Sequence, residues 1–189
     1  MFRSLITQNR SFRRYHEDQR IPRDELVGLV DLARLSASGG NTQPLKFVIV
    51  EDVERCGLVF PHLRWARHLA PWTAPDPGER PAAYIVILGD HTVSKSFGVD
   101  HGIAAQSILL GATEAGYGGC MIGSVMRDEL RSALGIADHL EILLVLALGK
   151  PRETVVLEPL GVDGSTVYWR DQAGVHHVPK RALEDLIVG

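Results

Sequence analysis

The sequence predicts an α+β protein in which helices pack on a mostly antiparallel central sheet. Three observations carry this. Helix-period and short apolar segments alternate in the order helix, strand, helix, strand. One long helical segment, 100–115, is almost free of charge. Glycine-punctuated runs of β-formers close the chain.

Residues 23–35 predict an amphipathic helix, with Leu26, Leu29, Val30 and Ala33 on one face. Pro22 suits the first turn, and Asp24 and Glu25 complement its positive end. Leu45–Val50, after Pro44, reads as a buried strand. Residues 61–81 hold five prolines and two tryptophans and read as a loop-rich excursion. A second strand spans 82–88. The helix 100–115 is apolar nearly all round, which predicts burial on all sides, as a domain spine or a dimer interface. Arg127–Leu134 reads as a short helix stopped by Gly135. Ile142–Leu148 is a third buried strand. In the tail, 155–157, 167–170 and 175–178 read as an antiparallel ribbon, and 179–189 as a final short helix.

The 189 residues fit a single domain, 1–189, with 45% hydrophobic and 23% charged residues. A net charge of −3 argues against nucleic acid or an anionic membrane as partner. No stretch approaches the ~20 apolar residues of a membrane span. No secretory signal is visible, and Cys56 and Cys120 fit no CxxC pattern. Two buried thiols in a reducing, cytoplasmic compartment are the simplest expectation.

Chemistry-bearing residues cluster in four places. Asn9-Arg10-Ser11-Phe12-Arg13-Arg14-Tyr15 places three arginines within five residues. Arg10 and Arg13 suit a phosphate gripped by paired hydrogen bonds. The same residues also fit a solvated basic loop. Residues 36–47, Ser-Ala-Ser-Gly-Gly-Asn-Thr-Gln-Pro-Leu-Lys-Phe, combine small side chains, two glycines and two amides. Ser38 and Asn41 there can address a flat ligand's polar edge while Gly39 and Gly40 permit close approach; a structural turn is the alternative. Gly116–Gly123 is no dinucleotide fingerprint, since Met121 stands where GxGxxG needs glycine. It reads as a helix-to-strand connection whose backbone at Ile122-Gly123 can face a planar ring. Lys180-Arg181 completes a phosphate site only if the C-terminus folds back beside Arg10 and Arg13.

Eight histidines show no HxxxH or HExxH spacing, so no metal site is expected. His176 and His177 are adjacent in a predicted strand and must face opposite ways. No standard set of acid, base and nucleophile is present, so no catalytic residue is named. That absence points to a cofactor carrying the chemistry.

Taken together, these motifs resemble the FMN-dependent nitroreductase family over nearly the whole chain. Residues 9–15 are similar to its Arg-Arg-Ser-x-Arg-x-aromatic opening, with Asn9 in place of the first arginine. Residues 37–45 are similar to its Pro-Ser-x-x-Asn-x-Gln-Pro-aromatic loop, with Ala37 and Leu45 as departures. Asp100, Ala104, Gln106 and Leu109-Leu110 match its central helix, and Leu134-Gly135 and Leu148-Gly149-Lys150-Pro151 its second half. The resemblance implies a nitroreductase-like fold and a homodimer with FMN at the interface. It implies phosphate ligands Arg10, Ser11 and Arg13, completed by Lys180 or Arg181. Ala37, Ser38, Gly39, Asn41 and Gln43 would come to the ring from the other subunit, with Ile122 and Gly123 on the ring's opposite side. The implied activity is ping-pong hydride transfer from NADH or NADPH through FMN to a nitroaromatic, quinone or flavin. Dehalogenation, flavin fragmentation or ring dehydrogenation on the same scaffold, or flavin binding without turnover, are the alternatives. Trp65 and Trp72 in the excursion are candidates for a substrate wall, or equally for core anchors.

Overall fold

The computed structural model describes residues 2–189. The chain opens with helix α1 (Phe2–Gln8) and the two-residue strand β1 (Tyr15–His16). Helix α2 (Arg23–Leu35), strand β2 (Leu45–Val50), helix α3 (Val53–Val59) and strand β3 (Ala83–Asp90) follow. Then come helix α4 (Asp100–Glu114), strand β4 (Gly118–Ile122), helix α5 (Arg127–Leu134) and strand β5 (Leu140–Pro151). The tail holds β6 (Val155–Pro159), β7 (Trp169–Arg170) and β8 (His176–Lys180).

The central sheet is antiparallel throughout, as the sequence predicts. β3 pairs with β2 (Phe47 opposite Ile87) and with β5 (Ile85 opposite Leu146), and β5 pairs with β4 (Cys120 opposite Ala147). β1 joins the end of β5, Tyr15 opposite Pro151. All eight residues of β3 are buried, so both faces of the sheet are covered. Alternation along the strand sorts its side chains. Ala83, Ile85 and Ile87 pack with Leu26 and Leu29 of α2 and Ala104, Ala105 and Ile108 of α4. Tyr84, Val86 and Leu88 face Cys56 and Val59 of α3 and Leu130 of α5. Each fully buried isoleucine contributes about 1.5–3 kcal/mol. Gly111 brings the two helices of the first layer together, because a Cβ there would lie 2.3 Å from Leu32 Cδ1.

Four expectations are corrected. Within one chain helix α4 is not a fully buried spine but is covered on one side only, with Ile103, Ser107 and Leu110 partly exposed and Gln106 exposed; the open side leaves the dimer-interface alternative standing. Residues 118–122 form a strand rather than a connection. In the tail, β7 and β8 are antiparallel, but β6 runs parallel to β8. The long connection from 160 to 175 turns the chain back into the same direction, which a tight hairpin cannot do. The final segment carries a 3₁₀ turn at Glu184–Leu186 instead of an α-helix, since strand pairing holds the chain extended through Lys180. No helix among the described residues is long and apolar enough to cross a membrane. Cys56 and Cys120 are both buried and free.

Candidate functional site

The segment between α1 and β1 is laid against β4. Ser11 bridges Gly119, and the Phe12 N–H donates to the Gly119 carbonyl at 3.0 Å. Glu153, its side chain fully buried, fixes the arginines from below. Its carboxylate accepts from the backbone N–H groups of Arg13 and Arg14 and from Arg170 Nη2 at 2.8 Å. Arg14 turns away to a two-point ion pair with Glu79. The Arg13 guanidinium keeps no carboxylate; it lies 5.1 Å over the Tyr168 ring and reaches the Ser11 carbonyl. Arg10 donates from Nη2 to the Ile6 carbonyl at 2.7 Å, while its buried Nε has no partner. Of the three clustered arginines, Arg14 is therefore structural, and Arg10 and Arg13 hold charge in reserve.

Arg10, Ser11 and Arg13 line a cavity of ≈ 340 Å³ with Lys180 of β8, Gln106 and Leu109 of α4, Met121 of β4, Tyr168 and His176. No carboxylate lines it. The expected fold-back of the C-terminus thus brings Lys180 to the two arginines. Arg181 is exposed and lies outside this cavity, in a surface groove beside Leu157 and Glu158. His176 is fully buried, and neither ring nitrogen has a hydrogen-bond partner among the described residues, although Nδ1 stands 4.0 Å from a Glu153 carboxylate oxygen. Burial pulls its pKa down to about 4, helped by Arg13, Arg170 and His177, so the imidazole is neutral at pH 7. His177 points the other way, to Glu158 at 2.8 Å.

A second cavity of ≈ 500 Å³ adjoins the first and shares Arg13, Met121 and Tyr168 with it. Ile122, Gly123 and Ser124, at the end of β4, form its floor, and Arg64, Trp65, Ala66 and Arg67 form its wall. The excursion 61–81 is pinned there by backbone bonds from Arg64 N to Ser124 O and from Met126 N to His62 O, both 2.9 Å. Trp65 belongs at once to the core and to this wall. Trp72 is partly buried, packed against the core and under Arg170.

The loop 36–47 lies elsewhere. Ala37, Ser38 and Gln43 line a separate cavity of ≈ 150 Å³ with Asp100 and Ala104. Asp100, the first residue of α4, accepts from Ser38 Oγ at 2.6 Å and from the Gly39 N–H at 3.0 Å. Ser38 Oγ also accepts from the Gln43 N–H at 2.9 Å. The Ser38 hydroxyl is therefore spent on shaping the loop rather than on a ligand edge. Asn41 and Gln43 adopt left-handed φ of 55° and 52°, and Gln43 Nε2 donates to Asn41 Oδ1 at 3.2 Å. Within one chain this loop and the Arg10–Arg13 cavity do not meet.

The nitroreductase family model matches residues 6–150. The chain belongs to the nitroreductase family. It is 29% identical over 157 residues to an Archaeoglobus fulgidus protein named "Putative NADH dehydrogenase/NAD(P)H nitroreductase", covering 79% of this chain and 84% of that one. The fold is similar to a nitroreductase family protein from Clostridium novyi NT (25% identity, TM-score 0.65, 80% of this chain and 87% of that one). An FMN-dependent nitroreductase from Clostridium difficile R20291 also shares it (21% identity, TM-score 0.63, 78% and 86%).

In this nitroreductase-family chain the matched region stops at Lys150. Glu153, Tyr168, His176 and Lys180 all come from the tail beyond it. Sequence reasoning found Lys180 from its charge and missed the other three as site residues. A lone glutamate after Pro151-Arg152 carries no local signal, and besides Arg170 its partners are backbone groups 139 and 140 residues away. Strand alternation did separate His176 from His177, which is the signal that could have brought His176 into the site.

Proposed function

We propose that this protein is an FMN-dependent oxidoreductase using NADH or NADPH, and that two copies build each site. One observation carries the reading: Arg10, Ser11, Arg13 and Lys180 converge on a carboxylate-free cavity that opens onto Ile122-Gly123. The residues present fit FMN. Two guanidinium groups without a carboxylate partner and an ammonium suit a phosphate monoester. Beside Gly123 there is open space, with the nearest atom 4.0 Å from where a Cβ would stand. No packing inside the chain requires glycine there, whereas a flat ring lying against the backbone would. The names of the relatives, one an NAD(P)H nitroreductase and one FMN-dependent, support the same reading.

When bound, FMN would supply the ring that takes a hydride from the nicotinamide donor and, in a second half-reaction, passes electrons to a nitroaromatic, quinone or flavin. The chain's own residues bind and orient. Arg10, Arg13 and Lys180 neutralise the phosphate, and Ser11 adds a hydroxyl donor. Glu153 holds the Arg13 backbone so that the guanidinium stays on the cavity side. Met121, Ile122 and Gly123 offer a largely apolar floor that keeps water from the reacting face. The loop 36–47, shaped by Asp100, presents the amides of Asn41 and Gln43 to the neighbouring copy's site. No side chain needs to act as acid or base, which accounts for the missing catalytic set.

The absorbance spectrum of the purified protein, followed by anaerobic addition of each donor, tests the reading. A flavin band bleached by NADH or NADPH is expected. Failure to bind FMN on reconstitution, or a bound flavin that neither donor bleaches, would overturn it.

A further inference from the structure

Arg64, Trp65 and Arg67 line the outer part of the cleft, and the proposed cofactor site makes no use of them. The Arg64 guanidinium touches only the carbonyls of Pro61 and Leu63 and the sulfur of Met126. Neither Arg64 nor Arg67 has an ion-pair partner among the described residues. Trp65 is only 9% exposed and its indole nitrogen is buried, so it offers the cavity its ring rather than its N–H. No carboxylate lines this cavity, although the chain has 23 acidic residues against 20 basic. Arg64 and Arg67 are exposed, and two guanidinium groups without an ion-pair partner beside a shared space describe a site for an anion, with the Trp65 ring as its wall.

A ligand with a single phosphate cannot serve both ends of the cleft. Arg10, Ser11 and Lys180 line only the inner cavity, and Arg64, Trp65 and Arg67 only the outer one. The outer group therefore belongs to the second ligand, the one that comes and goes. We propose that Arg64 and Arg67, beside the Trp65 wall, form a second anion subsite, which takes a phosphate of the nicotinamide dinucleotide. This rests on the oxidoreductase reading above. The phosphate has two possible sources, the 2′-phosphate of the phosphorylated dinucleotide and the pyrophosphate common to both.

Calorimetric titration of the purified protein with NADP⁺ and NAD⁺ reads the subsite without turnover. Arg64→Gln/Arg67→Gln is expected to weaken NADP⁺ about 10- to 100-fold, the usual worth of charge-assisted bonds. Loss confined to NADP⁺ assigns the 2′-phosphate, and similar loss for NAD⁺ assigns the pyrophosphate. Anaerobic flavin bleaching supplies the control: the double variant should lose at least tenfold more with NADPH than with the phosphate-free donor 1-benzyl-1,4-dihydronicotinamide. Unchanged NADP⁺ affinity, or equal loss for phosphorylated and phosphate-free donors, overturns the subsite. If no donor bleaches the wild-type flavin, the oxidoreductase reading fails instead, and the calorimetric comparison still decides whether Arg64 and Arg67 bind phosphate.

Discussion

Arg10, Arg13 and Arg14 share a chemistry, and their partners separate them. Arg14 is paired with Glu79, whereas Arg10 and Arg13 have only carbonyls and a ring beside them. Charge-assisted bonds to phosphate contribute about 1.5–3 kcal/mol each, so Arg13→Ala is expected to weaken FMN by roughly 10- to 100-fold. Arg10→Ala should act in the same direction. Burial already pulls the Arg10 pKa down from its ordinary value, so this guanidinium gains from a nearby anion. Arg13→Lys should recover only part of the loss, because an ammonium cannot make the paired contact. Fluorescence titration of FMN into the cofactor-free variants measures this. An Arg10→Ala/Arg13→Ala double variant that purifies with a full complement of flavin would falsify the phosphate assignment.

At the scale of elements, what the sequence disclosed depended on whether a segment's periodicity came from its own burial. α2, β2, β3, α4, α5 and β5 were legible because their apolar spacing is the pattern of what they bury. β4 was not, because Gly118 and Gly119 read as linker. Their glycines answer to neighbours instead. A Cβ at Gly118 would lie 2.4 Å from Phe12, and one at Gly119 would lie 2.5 Å from Leu109 and 2.8 Å from the Ala147 carbonyl. That close approach lets the arginine segment lie on β4, so the feature that hid the strand is the one that builds the site. α1 buries no side chain and left no stripe to read. α3 did carry a signal, since Asp52 caps it through the Arg55 N–H. The tail's parallel pair depends on a distant crossover that no local pattern encodes. The join between β1 and the end of the excursion carries its own prediction. Glu79 accepts from Arg14 Nε at 2.5 Å and from Nη2, and its backbone carbonyl accepts from the Tyr15 N–H at 2.9 Å. Arg14 holds the Glu79 carboxyl below its ordinary value of 4.5, so the stabilisation is present above that pH and is lost as pH falls through the folded value. Glu79→Gln should cost about 1–3 kcal/mol at pH 7, with the gap to wild type closing below about pH 4 in denaturant melts. A gap unchanged at about pH 3 would mean that Glu79 acts through shape alone.

Across the whole molecule, two facts point to a second copy. The loop 36–47 and the Arg10–Lys180 cavity are separate within one chain, though the family resemblance calls for both at one ring. The apolar face that α4 leaves open, with Ile103 and Leu110 partly exposed, continues to Val99 at 72% exposure. The neighbouring α2 adds Leu32 at 41% and Leu35 at 65%. Its end meets α4 through a Ser36–Ser107 hydroxyl contact of 2.7 Å, so these exposed residues lie around one helix pair. Exposed apolar residues grouped on one helix pair are a surface that a second copy can cover. Burying it against its own copy would cover α4 on its second side, in keeping with its nearly charge-free sequence, and would carry each loop to the other chain's cavity. Light scattering of the purified protein should therefore give a dimer. Leu110→Glu, which puts a charge in the centre of that face, should give a monomer, and FMN should be lost with the partner. Retention of FMN by a folded Leu110→Glu monomer would place the whole site within one chain and remove the need for the exchange of loops. Loss of FMN at the monomer's concentration, with recovery as the concentration is raised and dimer returns, is the outcome the shared site requires.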